Sequence, residues 1–112
     1  MDLYMTHWDE QKGNWGEPVN MGRAVNTEGD EIYPRVVGDA LYFASNGMEG
    51  FGSYDIYRMS MVDDILVPGT LFHYPYPVNS VYNDFGIFFD GAKGYFISDR
   101  RGIAGKDDIY TF

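Results

Sequence analysis

One phrase of strand-like residues and glycines occurs twice in the sequence at a fixed spacing. Its first copy is Leu41-Tyr42-Phe43-Ala44-Ser45, a loop with three glycines, and Asp55-Ile56-Tyr57, and its second copy ends in Asp108-Ile109-Tyr110. A shift of 53 residues aligns positions 2–58 with 55–111 without a gap and gives 13 identities. A period of this length is typical of folds in which each unit packs on its neighbours. We predict one domain, residues 1–112, with repeats over about 2–54 and 55–110.

The composition favours an all-β fold. Hydrophobic residues make up 45% of the chain and aromatic residues 18%, which argues against disorder. The aromatic residues are mostly Tyr and Phe, which suit strands, and 14 glycines and 5 prolines supply frequent turns. No stretch has a helical period. We predict strands over residues 1–8, 15–21, 32–37, 41–45, 54–61, 85–89, 95–98 and 107–112, and an interrupted edge strand over 65–74.

Local signals refine this pattern. The apolar run 41–45 predicts a strand that is buried on both faces. Pro34 indicates a bulge or an edge within its strand, because proline cannot donate to a β-ladder. Tight turns are predicted at Gly38-Asp39, Asp63-Asp64 and Asp90-Gly91.

Charge and residue content exclude several classes of function. The formal net charge of −9 is opposite to what nucleic acid or an anionic membrane would attract. The absence of cysteine excludes disulfide and thiol chemistry, and no apolar run is long enough for direct membrane insertion. The pairs Asp63-Asp64 and Asp107-Asp108 could offer oxygen ligands to Ca²⁺, but they lack EF-hand spacing and suit solvated turns. We predict neither a metal nor a cofactor.

The recurring polar residues favour a structural role over catalysis. Ser45 and Ser98 follow the predicted buried strands but lack the Gly-x-Ser-x-Gly turn of a nucleophile. The candidate bases, His7 and His73, lie in dissimilar contexts in the two copies. We therefore predict no enzyme. The residues predicted to hold loops and strands in each copy are Asn26, Asn79, Ser45, Ser98, Asp55 and Asp108, and Thr27/Ser80, Glu31/Asp84 and Asn46/Asp99 are conservative pairs of the same alignment.

A functional signal is expected where the two copies differ. Met48, Glu49 and Phe51 have no similar residues in the second copy, where the adjacent Arg100 and Arg101 replace Gly47 and Met48. Arginine can hold a partner carboxylate through two hydrogen bonds. Trp8 and Trp15 also break the repeat, since Met61 and Pro68 occupy the matching positions, and both are candidates for a contact surface, with edge packing as the alternative for Trp15. The predicted partner-binding residues are Met48, Glu49, Phe51, Arg100, Arg101 and Trp8.

The sequence resembles a known repeat family over nearly its whole length. The resemblance lies in Asn26-Thr27-Glu28-Gly29-Asp30-Glu31, in Pro34, and in the two stretches 41–46 and 50–57. These residues are similar to the WD-like repeat of TolB-like β-propellers, in the form found in Bacteroidetes envelope proteins, often beside an OmpA-like peptidoglycan-binding domain. Trp15, Pro18 and Met21-Gly22 match the run between blades. The family often has Arg where Arg100 lies, which favours a structural role for that residue.

The resemblance implies four-stranded propeller blades, of which this chain holds one complete and two partial ones. A closed propeller needs at least about four blades. Two alternatives remain: a fragment or short open stack of sheets, or three chains that share strands and close a ring of six blades. The second copy departs from the family pattern at Pro68-Gly69-Thr70 and at Phe85-Gly86-Ile87, which puts its edge strand in doubt.

The family implies a non-catalytic protein-interaction scaffold in the periplasm or at the outer membrane. The expected contact surface is formed by loops 26–31, 46–53, 79–84 and 99–106. The alternative is a lectin-like module that binds glycan or a small ligand through Trp and Tyr in an oligomer. A hydrolase-associated propeller ranks last, because neither an acid cluster nor a hydrolase domain is identifiable.

Overall fold

The computed structural model describes residues 1–50, 52–100 and 107–112, and these residues form twelve strands and no helix. Within this part of the chain there is accordingly no apolar helix of membrane-spanning length. The all-β prediction is confirmed. The strands are β1 (Tyr4–Met5), β2 (Trp8–Asp9), β3 (Asn14–Trp15), β4 (Val19–Asn20), β5 (Glu31–Val37), β6 (Ala40–Ser45), β7 (Asp55–Val62), β8 (Ile65–Leu66), β9 (Phe72–His73), β10 (Asp84–Asp90), β11 (Lys93–Ser98) and β12 (Asp108–Thr111).

Two antiparallel sheets form the body of the molecule. In the first sheet, β6 lies between β5 and β7, and β7 also pairs with the short strands β8 and β9. The second sheet has the order β10-β11-β12. Five of the six residues of β6 are buried, so the prediction that this strand is covered on both faces is confirmed.

The N-terminal residues form an irregular hairpin. Strand β1 pairs with β4, and β2 pairs with β3. Between the two pairs, Gly16 N–H donates to His7 O at 2.8 Å and the Thr6 hydroxyl donates to Gly16 O at 2.7 Å. We call residues 4–20 the N-terminal hairpin. The single strand predicted over 15–21 is thus two short strands, with Pro18 in the gap.

The strand ends differ slightly from the prediction in the second sheet. Asp90 pairs with Lys93 in the β10–β11 ladder, so the turn consists of Gly91 and Ala92. The predicted turn at Asp90-Gly91 is therefore wrong by one residue. The turn at Gly38-Asp39 joins β5 and β6 as predicted, and each turn begins with a glycine at positive φ.

A bulge interrupts the first strand of each sheet at matching positions. The ladder shifts between Ile32 and Arg35 in β5, and between Phe85 and Ile87 in β10. The residue with positive φ at the bulge is Tyr33 (52°) in β5 and Gly86 (68°) in β10. The irregularity signalled by Pro34 therefore belongs to both copies, although only one of them contains the proline.

The turn Asp63-Asp64 between β7 and β8 has positive φ at both residues, 50° and 64°. Asn-Gly accepts this conformation with less strain than Asp-Asp. We expect the double variant Asp63→Asn/Asp64→Gly to raise the free energy of unfolding by about 1 kcal/mol in urea denaturation. The double variant Asp63→Ala/Asp64→Ala keeps the strain and removes the same two charges, so it serves as the control. An equal gain in both variants would contradict the backbone explanation.

Two hydrophobic clusters hold the layers together. The first contains Leu3 and Val25 together with Leu41, Phe43 and Tyr57 of the first sheet. The second lies between the two sheets and contains Ile56, Val78, Ile87 and Phe96. Leu3, Val25 and Phe43 of the first cluster match Ile56, Val78 and Phe96 of the second after the 53-residue shift. The core is therefore built twice from equivalent positions.

One pair of residues shows how the second copy keeps its packing despite different side chains. Leu41 pairs with Met59 in the first sheet, and the matching pair in the second sheet is Gly94 and Phe112. A Cβ added to Gly94 would overlap the Phe112 ring. The large Phe112 ring thus fills the space that Leu41 occupies in the first copy.

The stack of layers is elongated and open. Its dimensions are 50 × 30 × 24 Å, and its radius of gyration is 15.1 Å against about 13 Å expected for a compact domain of this length. None of the described sheets closes on itself. The architecture shown is therefore an all-β molecule of several small open sheets.

Candidate functional site

Each unit contains a buried carboxylate that joins a loop to two strands. Glu31, at the start of β5, accepts hydrogen bonds from the Thr27 N–H (3.0 Å), the Thr27 hydroxyl (2.6 Å) and the Ser45 hydroxyl (2.6 Å). Its side chain is 1% exposed. The donors come from the loop before β5 and from the end of β6, so the carboxylate fixes the loop to the sheet.

Asp84 makes the matching contacts in the second unit and adds an arginine. It accepts hydrogen bonds from Ser80 N–H (2.6 Å), from the Ser80 hydroxyl and from the Ser98 hydroxyl (2.6 Å). The Arg100 Nη2 also lies 2.8 Å from Asp84 Oδ1. In the first unit the position of Arg100 is held by Gly47, where an added Cβ would overlap the Thr27 hydroxyl. The second unit therefore contains a buried ion pair that the first one lacks.

Two buried asparagines hold the backbone of the neighbouring layer. Asn26 Oδ1 accepts the Leu3 N–H at 2.7 Å, and Asn26 Nδ2 donates to Leu3 O at 2.9 Å. Asn79 makes the same pair of hydrogen bonds with Ile56, at 2.7 and 2.8 Å. Asn79 also donates to Tyr74 O at 2.8 Å. We call this arrangement the asparagine clamp.

The aspartates that begin the repeated Asp-Leu/Ile-Tyr triplets contact different partners. Asp55 accepts a hydrogen bond from Gly52 N–H at 3.1 Å, and its Oδ2 lies 2.9 Å from His73 Nε2. Asp2 accepts a hydrogen bond from Asn20, which matches His73 in the repeat. Asp108 Oδ2 is buried and accepts no hydrogen bond from the residues that the structure describes. The Asp55 contacts join a loop and two strands, as scaffold residues do.

The predicted partner-binding residues that the structure describes have different surroundings. Met48 packs against the first hydrophobic cluster. The Arg100 guanidinium is mostly buried and donates to Ser98, Pro77 O and Val78 O besides Asp84. Glu49 is exposed, and its carbonyl accepts the Tyr57 hydroxyl at 2.9 Å. Phe51 and Arg101 lie outside the described residues.

Trp8 belongs to an exposed aromatic pair that the sequence prediction named only in part. Trp8 and Trp15 face each other across β2 and β3 with ring centroids 5.4 Å apart in an edge-to-face arrangement. Trp8 is 50% exposed and Trp15 63%. The family resemblance had placed Trp15 in the run between blades, so its pairing with Trp8 needed the hairpin register. The signal that could have found it is the turn 9–14, which brings the two residues opposite each other.

The buried carboxylates Glu31 and Asp84 are the main structural residues that the site prediction omitted. Both appear in the repeat alignment as a conservative pair. The available signal was their position, an acid between a polar loop and an apolar strand in both copies. An isolated acid there is expected to be buried only if it is hydrogen-bonded. The alignment alone cannot say which donors it meets.

The buried Tyr57 and the partly buried Tyr74 both have a pKa far above the ordinary value for tyrosine. Burial raises the pKa of Tyr57 to about 12, and the nearby Asp55 charge adds to this effect. Burial likewise raises the pKa of Tyr74 to about 12, with a smaller contribution from Tyr42. Unfolded tyrosine ionises near pH 10, so the unfolded state loses these protons first. The stabilisation is complete below about pH 10 and is lost as the pH rises towards 12.

We therefore expect the free energy of unfolding to fall steeply between about pH 10 and 12. Absorbance at about 295 nm should detect two of the ten tyrosines ionising with a pKa of about 12 in the folded protein. The variant Tyr57→Phe should have a free energy of unfolding about 1 kcal/mol lower at neutral pH, because it lacks the hydrogen bond to the Glu49 carbonyl. Its free energy of unfolding should fall less steeply between about pH 10 and 12. A decline that is equally steep in this variant would contradict the assignment.

The described residues contain no group of three or more His, Cys, Asp or Glu side chains that could hold a metal ion. A shallow depression of about 480 Å³ beside the N-terminal hairpin is lined by polar residues. Within it Asn20 is already hydrogen-bonded to Asp2 and to Asn26. Comparison with protein-family models, with curated proteins and with solved structures finds no match to this chain.

Proposed function

We propose that the chain is a non-catalytic protein-interaction scaffold built from WD-like, TolB-like propeller repeats. The observation that carries the proposal is the exposed pair Trp8 and Trp15 on the N-terminal hairpin. Tryptophan is enriched among the residues that dominate binding energy at protein interfaces. Two half-exposed indole rings held rigidly by a strand pair form a preorganised contact of this kind.

The polar residues support a scaffold rather than a reaction centre. Glu31, Asp84, Asn26 and Asn79 are all buried and hydrogen-bonded to the backbone or to hydroxyl groups near it. A general acid or base must reach a substrate proton directly or through a single water. These side chains face the interior, where their donors and acceptors hold loops in place.

The cellular setting belongs to the same proposal. The sequence resemblance to TolB-like repeats of Bacteroidetes envelope proteins supports a place in the periplasm or at the outer membrane. A net charge of −9 and exposed tryptophans suit a partner with an apolar pocket and a basic rim. Each sheet together with its edge segment then corresponds to a propeller blade.

Photocrosslinking in the producing cells tests this function. A benzoylphenylalanine at position 15 should capture a protein of discrete mass, and the same residue at position 65 should not. Ile65 is the matched control because it is 69% exposed in the corresponding hairpin turn region of the next unit. The crosslinked product should disappear when the chain with benzoylphenylalanine at position 15 also carries Trp8→Ser. Equal labelling at both positions would contradict a specific surface on the hairpin.

Glycan binding is the second candidate, and the same two tryptophans favour it. Indole faces pack on the C–H surfaces of sugars, so the ring pair could hold a saccharide. Because the chain contains only two tryptophans, its intrinsic fluorescence reports this surface directly. A saturable emission change with N-acetylglucosamine oligosaccharides would favour the glycan alternative, and an unchanged spectrum would count against it.

A further inference from the structure

The outer face of the second sheet contains a position whose two equivalents are covered elsewhere in the molecule. Leu3 is 5% exposed and Ile56 is 1% exposed, whereas Ile109, the third member of this series, is 72% exposed. The three residues follow the same aspartate and precede the same tyrosine. Ile56 lies opposite Ala44 and Ile109 lies opposite Ile97, which are matching positions of the two sheets, so the difference between them lies in what covers them.

Ile109 presents its backbone groups to the open edge of β12. Phe112 and Gly94 exchange both hydrogen bonds, and Ile109 lies opposite Ile97 in the same ladder. Paired residues of an antiparallel ladder alternate between bonded and non-bonded positions, so Ile109 occupies a non-bonded one. Its N–H and C=O therefore point away from β11, and no described residue contacts them by a hydrogen bond.

The chain itself shows what fits such a position. Ile56 is covered by Val78, and its N–H and C=O are held by the clamp of Asn79. Leu3 is covered by Val25 and held by Asn26. The residue after each asparagine is a hydroxyl residue, Ser80 or Thr27. The recurring element is Val-Asn-Ser/Thr.

A short strand precedes this element at constant spacing. Asn20 lies opposite Tyr4, and His73 lies opposite Tyr57. Each of these residues stands six positions before the clamping asparagine. By the same geometry Tyr110, next to Ile109, offers a place for such a strand on the free edge of β12.

We propose that the outer edge of β12 is a docking site for a partner polypeptide that carries a short strand and, six residues later, a Val-Asn-Ser/Thr element. The partner's asparagine amide hydrogen-bonds the N–H and C=O of Ile109, and its valine covers the Ile109 side chain. A second copy of this chain does not meet the requirement, because its Asn26 and Asn79 already hold Leu3 and Ile56. The proposal deepens the scaffold function and rests on it, but it concerns the opposite end of the molecule from Trp8 and Trp15.

The probe is a synthetic peptide with the sequence of residues 72–84, added to the ¹⁵N-labelled full chain. We expect saturable amide shifts centred on Ile109 and Tyr110, and hydrogen exchange at the Ile109 amide slowed at least about tenfold at saturation. The same peptide with Asn79→Ala should bind at least about tenfold more weakly, since it loses both clamp hydrogen bonds. On the protein, Ile109→Lys should abolish binding, and Ile65→Lys, an equally exposed isoleucine on another edge, should leave it intact.

Three results would overturn the proposal. They are equal affinity of the two peptides, shifts centred on Leu3 or Ile56, and self-association of the peptide-free chain that protects Ile109. Failure of the peptide experiment leaves the crosslinking result at position 15 unaffected, so the docking site and the scaffold function can fail separately.

Discussion

Replacing Asp84 with alanine is expected to lower the free energy of unfolding by about 3–5 kcal/mol. Asp84 is fully buried and accepts hydrogen bonds from Ser80, Ser98 and Arg100. Its removal leaves the mostly buried Arg100 guanidinium without its counter-ion and the Ser80 N–H without an acceptor. A domain of this size has about 5–15 kcal/mol of stability, so such a loss approaches unfolding at room temperature.

Urea denaturation followed by circular dichroism measures this change. The control is Asp90→Ala, which removes the same charge from the exposed end of the same strand and should change stability by less than about 0.5 kcal/mol. Glu31→Ala should lower the free energy of unfolding by less than Asp84→Ala does. Glu31 accepts hydrogen bonds from hydroxyl and amide donors but pairs with no cation in the described residues. A larger loss for Glu31→Ala would show that the ion pair with Arg100 adds nothing.

Asn79→Ala is expected to lower the free energy of unfolding by about 2–4 kcal/mol. The side chain is fully buried and satisfies both backbone groups of Ile56 as well as the carbonyl of Tyr74. Alanine leaves the Ile56 N–H and the Tyr74 carbonyl without these partners, and the Ile56 carbonyl keeps only the long hydrogen bond from the Tyr74 N–H at 3.4 Å. Asn79→Asp should also destabilise, because a carboxylate oxygen would replace the amide donor beside two carbonyl oxygens.

The comparison variant for this effect is Asn14→Ala, which changes an exposed asparagine at the start of β3, where almost no change is expected. Amide exchange adds a local readout. Asn79→Ala should accelerate exchange at Ile56 more than at Leu3, which keeps its own clamp through Asn26. Uniform acceleration at both amides would indicate global loosening rather than loss of one clamp.

The repeat explains why much of the fold is predictable from the sequence. The 53-residue shift places turns near Gly38 and Gly91 and apolar strands at 41–45 and 95–98, and all four features are present, the second turn one residue later than predicted. Local chemistry decides such elements, since a turn needs glycine at positive φ and a covered strand needs apolar residues on both faces. The interrupted strand over 65–74 is likewise two short strands separated by Pro68-Gly69.

The contacts between units were not predictable at the level of atoms. That Asn79 holds the backbone of Ile56, 23 residues earlier in the chain, depends on how one layer stacks on the next. The bulge at Gly86 has no proline to signal it, and the replacement of the Leu41–Met59 pair by Gly94 and Phe112 requires both ladders to be known. The sequence predicted Asn79 as structural from recurrence alone, without its partner.

The candidate site was harder to predict than the fold. Differences between the copies pointed to Met48 and Arg100, but difference alone does not imply exposure. Met48 is partly buried and packs against the first hydrophobic cluster. Arg100 pairs with the buried Asp84, whereas a side chain at the matching Gly47 would overlap Thr27. Trp8 is the predicted residue that is exposed together with an aromatic neighbour, because its ring contacts Trp15 across the hairpin.

Native-state hydrogen exchange of the full chain tests the central claim most directly, namely that equivalent units stack on one another and that, among the described residues, the outer edge of β12 is uncovered. The account predicts slow exchange at the Ile56 and Leu3 amides, which the asparagine clamps hold, and exchange at the Ile109 amide that is at least about a hundredfold faster than at Ile56. Protection at Ile109 equal to that at Ile56, or rapid exchange at all three amides, would contradict it.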